Sequence, residues 1–348
     1  MLAPKLLNEM ATTPAAASSG PAVQPGQRRE AAILGSGAFL PEGVLGNAEL
    51  EALVDTSDAW ILERTGISER RRAGAGETAS VMGWQAARRA LRAAGEPQVD
   101  AIVVATCSPD SLLPSTACLI QRRLGLPGIP AFDISAACSG YVYAVAAARA
   151  LIRAGSATTV LVVATEAMTS LVDYGDRSTC VLFGDGAGAS VVGAVPEGGI
   201  AAVRWGADGS EADLIYYGPK AGDPASGNGL RMHGKGTFRI AVERMTEIAE
   251  LVCADAGWSA AEVDLLVPHQ ANLRIIEAAA KRAGIPMQRV MVDIDRLGNT
   301  SAASIPIALA EAEAAGRLRP GDRVICVAFG AGTTWGGMAL QWNEPGAR

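Results

Sequence analysis

Histidine is nearly absent from this chain: two occur in 348 residues. Six cysteines are present, but none stands in CxxC spacing or beside a His cluster, so neither a zinc site nor a disulfide framework is indicated. Reduced thiols and a cytoplasmic setting are the expectation. No run approaches the roughly 18 consecutive apolar residues that span a bilayer. The glycine-rich Gly184-Asp185-Gly186-Ala187-Gly188 lacks both the Walker Lys-Ser/Thr and the GxGxxG spacing, and it leads into strand-like Ala189-Ser190-Val191-Val192 rather than a helix. A nucleotide-binding Rossmann enzyme is thereby disfavoured, and the glycines read as tight backbone packing. A net charge of −6 argues against nucleic acid as the main partner.

What the chain does have is 49% hydrophobic and 19% charged residues, enough to bury a large core, and a length that allows about two domains. Residues 1–29 are the exception. Ala11 to Pro25 are almost entirely Ala, Thr, Ser, Pro, Gly, Val and Gln, and a disordered tail is expected. Lys5-Leu6-Leu7-Asn8-Glu9 interrupts any secretory apolar core, and the stretch before Arg28 is free of arginine, unlike a transit peptide. From Ala31 onward short apolar runs alternate with Ala-rich helical stretches. Ala31–Leu34, Ala101–Val104, Val160–Val163 and Val324–Val327 are the clearest strands, and their lack of polar alternation implies sheets covered on both faces.

The order repeats. Val99-Asp100-Ala101-Ile102-Val103-Val104 corresponds to Val263-Asp264-Leu265-Leu266-Val267, and Arg123-Leu124-Gly125-Leu126-Pro127 corresponds to Arg282-Ala283-Gly284-Ile285-Pro286. Each copy then reaches an Asp-Ile strand end, at Asp133-Ile134 and Asp293-Ile294, a small-residue turn and an Ala-rich helix. Duplication is the economical explanation, with halves at 30–195 and 196–348. It predicts that Cys138 and Asn299 open equivalent helices converging on one cleft.

Three segments carry chemistry. Val267-Pro268-His269-Gln270-Ala271-Asn272 ends a strand in an imidazole and carboxamides, a poor way to build a core and a good way to aim polar groups into a cleft. Asp133-Ile134-Ser135-Ala136-Ala137-Cys138-Ser139-Gly140 places a thiol at a helix N-terminus, which is expected to lower its pKa. Gly298-Asn299-Thr300-Ser301 repeats the turn with a carboxamide. Taken singly, these are a small buried hydrophobe, a structural histidine and an N-cap; the other cysteines (Cys107, Cys118, Cys180, Cys253, Cys326) read as buried hydrophobes. Together they propose a Cys138/His269/Asn299 site.

From Ala31 to Trp342 the chain resembles the β-ketoacyl-acyl-carrier-protein synthase III family. The likeness rests on Asp58-Ala59-Trp60-Ile61 with Arg64-Thr65-Gly66-Ile67, on the Cys138 elbow, on Leu182-Phe183-Gly184-Asp185-Gly186-Ala187-Gly188, on the His269 and Asn299 motifs, and on Phe329-Gly330-Ala331-Gly332-Thr333-Thr334-Trp335-Gly336. It implies a thiolase-like fold, duplicated α/β halves in a five-layer αβαβα sandwich. It also implies decarboxylative condensation of an acyl-CoA starter with malonyl carrier protein through an acyl-Cys138 intermediate, initiating fatty acid or polyketide synthesis.

By the same resemblance, the backbone N–H groups of Cys138 and Ala331 form the oxyanion hole, where alanine in place of the frequent glycine is harmless because only backbone acts. His269 and Asn299 would stabilise the enolate. Trp60 and Arg177 would sandwich the adenine of coenzyme A, Arg64 would contact its phosphate, and Met232, Gly234 and Phe238 would line the channel. Ser178, where glycine is frequent, and Lys235, where some relatives carry asparagine, depart from the pattern. Arg274, Lys281 and Arg282 lie at i, i+7 and i+8 of one helix; spacing alone makes them a solvated face, and the resemblance makes them a docking face for acyl carrier protein. A homodimer without metal, redox cofactor or membrane insertion is implied. Rival readings are a polyketide-pathway priming, chain-joining or acyl-transfer variant, and a non-catalytic partner subunit, which would be expected to lose the thiol.

Overall fold

The computed structural model describes residues 29 to 344 and Gly346. The tail expected over residues 1–29 therefore lies, apart from Arg29, outside the described residues.

Two sheets organise the chain. The first has five strands in the order Glu30–Phe39, Asp185–Val195, Thr159–Ala167, Ala101–Ala105 and Ala131–Ile134. Its last three are mutually parallel, and Asp185–Val195 runs antiparallel to both neighbours. The second has four strands in the order Leu265–Pro268, Arg323–Gly330, Thr334–Gln341 and Ile200–Ala207. Side chains alternate across each strand. In the first sheet Ile33, Val103, Val162 and Val192 enter one cluster, while Leu34, Ile102, Val104, Leu161 and Val163 enter another. In the second, Leu265, Val267, Val324 and Cys326 join the first sheet's inner cluster, and Leu266, Ile325 and Val327 face the opposite way. Both faces of both sheets are covered, which is why the strands read as continuous apolar runs.

The shared inner cluster contains the helices Gly140–Arg153 and Ser304–Ala314. Pro306 sits in the first turn of the second, where its missing N–H would find no helical partner anyway. Close approach requires small residues here: a Cβ on Gly188 would stand 2.6 Å from the Ile307 nitrogen, so strand and helix meet backbone to backbone. This is the packing expected of the glycine run. Helices Ala79–Ala93 and Thr116–Leu124 cover the outer face of the first sheet, and Gly234–Ala256 with Leu273–Arg282 that of the second. The layers are helix, sheet, helix, sheet, helix, the thiolase-like sandwich. No helix among the described residues is long and apolar enough to cross a membrane.

The repeat departs from symmetry at one strand. Ala131–Ile134 is a full edge strand, whereas its counterpart is a single bridge between Leu266 and Val290. Asp133 explains part of the difference, since its two carboxylate oxygens accept from the Thr116 and Ala117 N–H groups and cap a helix. Asp293 leads directly into the short helix Ile294–Leu297.

Candidate active site

Cys138 stands in a tight turn that the backbone holds under strain. After the strand Ala131–Ile134, Ala137 takes φ +45°, unusual for a residue with a side chain, and Ala137–Ser139 form one 3₁₀ turn before the helix from Gly140. The second half repeats the device: Ser301 takes φ +49°, Ser301–Ala303 form the turn, and the helix starts at Ser304. The two turns lie against each other, and a Cβ on Gly140 would stand 3.3 Å from that of Ala302. By backbone shape, then, the counterpart of Cys138 is Ala302. Asn299 lies three residues earlier, which corrects the expected equivalence without separating the two residues in space.

Asn299 is fixed from both sides. Its N–H donates to the Leu182 carbonyl at 2.8 Å, and its carbonyl accepts from Gly184 N–H at 3.0 Å. The side-chain Oδ1 accepts from Ser301 N–H at 2.9 Å, which leaves the amide NH₂ free to donate. His269 continues past the strand Leu265–Pro268 with its N–H on the Val327 carbonyl, and its Nδ1 lies 2.7 Å from Ser304 Oγ at the start of the second inner helix. Burial pushes the imidazole down to about 3, so it is neutral at physiological pH. His269 is 1% exposed.

Burial acts on Cys138 in the opposite direction and pushes the thiol up to about 12. This corrects the lowering expected from the helix N-terminus: the full helix begins two residues later, and loss of solvent outweighs it. In the resting protein the sulfur holds its proton. Beside it, Thr334 Oγ1 donates to the Ala136 carbonyl at 2.9 Å and ties this turn to the loop Ala331–Thr333. A Cβ on Gly330 would lie 2.7 Å from the Cys138 nitrogen, so the backbone that carries Ala331 is pressed against the backbone of the nucleophile turn.

One cavity of about 990 Å³ joins these parts. Cys138, Asn299 and Ala331 line it, as do Trp60, Arg64, Met232, Gly234, Phe238 and Arg274. Trp60 is positioned by the helix Asp58–Thr65, whose N-cap Ser57 accepts from Trp60 N–H at 3.2 Å; losing such a cap costs about 1 kcal/mol. The Arg177 guanidinium stands 4.8 Å from the Trp60 ring centroid and donates to the Asp55 carbonyl, so a base entering between the two must first part them. Arg64 is 5.8 Å from the same ring. Arg274 stands 5.8 Å from the Phe238 ring, whereas Lys281 and Arg282, in the last turn of the helix Leu273–Arg282, are exposed and outside the cavity wall. All three cations are exposed on this one helix.

Sequence reasoning passed over several residues here. Cys107, expected to be buried, lines the cavity, and Cys118 is exposed; Cys180, Cys253 and Cys326 are buried. Ser301 sits in a motif quoted for its asparagine and read as an ordinary turn residue. Its own signal, a positive φ, is visible only in the backbone.

A thiol in a strained turn, a neutral imidazole, a held carboxamide and two adjacent loop backbones on a five-layer αβαβα frame define a thiolase-fold condensing enzyme, an acyltransferase. Residues 132–209 match the family 3-oxoacyl-[acyl-carrier-protein (ACP)] synthase III, and residues 253–342 match the C-terminal region of the same family. A β-ketoacyl-[acyl-carrier-protein] synthase III of Xanthomonas axonopodis pv. citri is 47% identical over 317 residues, covering 89% of this chain and 98% of that one. The crystal structure of the synthase III from Thermus thermophilus is 48% identical with a TM-score of 0.85, over 90% of this chain and 99% of that one. The priming β-ketosynthase of the R1128 polyketide pathway is 38% identical with a TM-score of 0.88, over 93% and 100%. The chain belongs to the β-ketoacyl-acyl-carrier-protein synthase III family.

Proposed function

We propose that the protein condenses an acyl-CoA starter with malonyl carrier protein, with Cys138 as nucleophile, His269 and Asn299 as enolate donors, and the Cys138 and Ala331 N–H groups as the oxyanion hole. The observation that carries this reading is the single cavity lined by Cys138, Asn299 and Ala331 together with Trp60 and Arg64. Attack of the sulfur on an acyl thioester forms the S–C bond and breaks the bond to the CoA sulfur, which leaves with the thiol proton, so acylation balances without a proton exchanged with His269. Departure of carbon dioxide from a malonyl thioester leaves an enolate whose oxygen requires donors; the free NH₂ of Asn299 and a neutral imidazole N–H supply them without a fixed charge that would hold the malonyl carboxylate too tightly. The carbanion then attacks the acyl-Cys138 carbonyl and expels the sulfur. The chemistry calls for no metal or redox cofactor.

Fatty acid initiation is favoured over polyketide priming by the higher identity to a β-ketoacyl-[acyl-carrier-protein] synthase III than to the polyketide priming enzyme, 47% against 38%. A cytoplasmic homodimer with the duplicated halves 30–195 and 196–348 completes the proposal. Support for the dimer comes from the edge strand Ala131–Ile134, with Phe132 38% exposed, and from Leu112 and Leu113, which are 93% and 86% exposed.

Intact-protein mass spectrometry after exposure to a panel of acyl-CoAs is the test. One acyl mass on Cys138, discharged by malonyl carrier protein to a β-ketoacyl product, is expected, and that mass names the starter. An adduct that malonyl carrier protein does not discharge would turn the reading to simple acyl transfer. Carrier docking has its own test. Because Lys281 and Arg282 lie outside the cavity, reversing both to Glu should raise KM for malonyl carrier protein about tenfold while Cys138 acylation by a short acyl-CoA is unchanged. Added salt should weaken the wild-type carrier reaction in the same way. Equal loss in both half-reactions would assign these residues to the fold instead.

A further inference from the structure

Of the described thiols, two line the cavity, and the reading above uses only one of them. The other, Cys107, stands just past the strand Ala101–Ala105 and is half-buried. Burial pushes both sulfurs up, so loss of solvent does not tell them apart. What differs is a carboxylate. Glu166 is fully buried near the end of the strand Thr159–Ala167, the parallel neighbour of Ala101–Ala105. Its Oε1 lies 3.4 Å and its Oε2 3.5 Å from Cys107 Sγ. On Cys138 it acts only through space.

Counting hydrogens shows what form Glu166 takes. Ser108 Oγ accepts from Ala167 N–H at 2.8 Å, so its own hydrogen goes to Glu166 Oε2 at 2.5 Å. Thr106 Oγ1 accepts from Ser108 N–H at 3.2 Å, so its hydrogen also points to Glu166, at 3.3 Å. Cys107 N–H donates at 3.1 Å. A carboxyl surrounded by donors is acceptor-only and therefore charged. The Cys107 thiol has one hydrogen and three acceptors in reach: Glu166, Met168 Sδ at 3.6 Å and Ser301 Oγ at 3.6 Å. The carboxylate is the strongest of these. The S–H is thus turned onto Glu166, and a thiolate in its place would face a negative charge at contact distance.

We propose that Glu166 is a specificity-determining residue whose carboxylate holds Cys107 in the thiol form, so that an acyl thioester entering the cavity is attacked by Cys138 and not by its neighbour. The proposal rests on Cys138 being the nucleophile. Attack by either sulfur would form the same S–C bond and expel the same CoA thiol, so the choice falls to the sulfur that gives up its hydrogen more readily. The titratable groups that bear on Cys107 are Glu166 and Cys138 itself, and both oppose a second thiolate.

The experiment is alkylation of the full chain by iodoacetamide in a Cys138→Ser background, from about pH 7 to about pH 10, with each cysteine read by peptide mass spectrometry. The sulfur gains a bond to carbon, iodide leaves and the thiol proton passes to the buffer. With Glu166 intact, Cys107 should stay nearly unmodified. With Glu166→Gln it should alkylate at least about tenfold faster, the rise displaced to lower pH, because the charge and the hydrogen bond to it are both lost. Glu166→Asp draws the charge back by one methylene and should fall between the two, so the test stands even if the glutamine variant does not fold. Cys326, buried in the core, reports any loosening of the fold and should stay unmodified throughout. Equal Cys107 rates with and without the carboxylate, or modification of Cys326 alongside Cys107, would overturn the proposal. Failure of the wild type to take up an acyl group on Cys138 would instead overturn the reading beneath it.

Discussion

Cys138→Ser will take up no acyl group from acyl-CoA, while His269→Ala and Asn299→Ala will acylate themselves and then fail to decarboxylate a malonyl thioester. The division follows from where each group sits. The sulfur forms the bond in the first half-reaction, and a hydroxyl in its place is a far weaker nucleophile. The free NH₂ of Asn299, set by the Ser301 N–H on its Oδ1, serves the enolate, which exists only in the second half-reaction. Removing one preorganised donor of this kind costs about 10²–10³ in rate. His269 is neutral through burial, so its replacement removes a donor but no charge. Intact mass for the first step and carbon dioxide release for the second separate the two. Near wild-type condensation by His269→Ala would remove it from the mechanism.

Gly330→Ala should be nearly as damaging although it deletes nothing. The added methyl would lie 2.7 Å from the Cys138 nitrogen, 3.0 Å from Thr334 Oγ1 and 3.1 Å from the Ser139 nitrogen. Two of these are backbone atoms with little room to move, so the turn that presents the nucleophile and the loop that carries Ala331 must separate. Both half-reactions pass through a tetrahedral oxyanion, and both should fall about 100-fold. The accompanying loss of stability should be about 1–3 kcal/mol, the usual cost of one extra methyl in a packed interior. Gly209→Ala, with nothing within 4 Å of the new Cβ, is the control and should change neither. Normal self-acylation by Gly330→Ala would show that these two backbones do not jointly form the oxyanion hole.

Much of this site was legible before any coordinates. His269 stood out because histidine is so scarce, and Cys138 and Asn299 because each follows an apolar strand and precedes an Ala-rich helix. Local chain order carries such signals: a strand end and a small-residue turn determine where a side chain leaves the sheet. Sheets covered on both faces followed from the apolar runs, and the five layers from the family resemblance. Less legible were Cys107, taken for a core thiol and found on the cavity wall, and the reach of the basic helix, of whose Arg274, Lys281 and Arg282 only Arg274 lines the cavity. Spacing places residues on a helix face but does not say where that face passes from cavity rim to open solvent.

The order of motifs, the alternation of strands and helices, and the repeat were determined by the sequence alone, and with them the family. Only the tertiary structure decided how the site is tuned. The thiol is raised rather than lowered because burial outweighs a helix terminus that begins two residues later. Asn299 and Cys138 come to one cavity from separate halves of the chain, and Thr334 reaches the Ala136 carbonyl across 198 positions. Desolvation depends on what surrounds a group in space, and residues that distant in sequence leave no local pattern to announce that they will share one cavity.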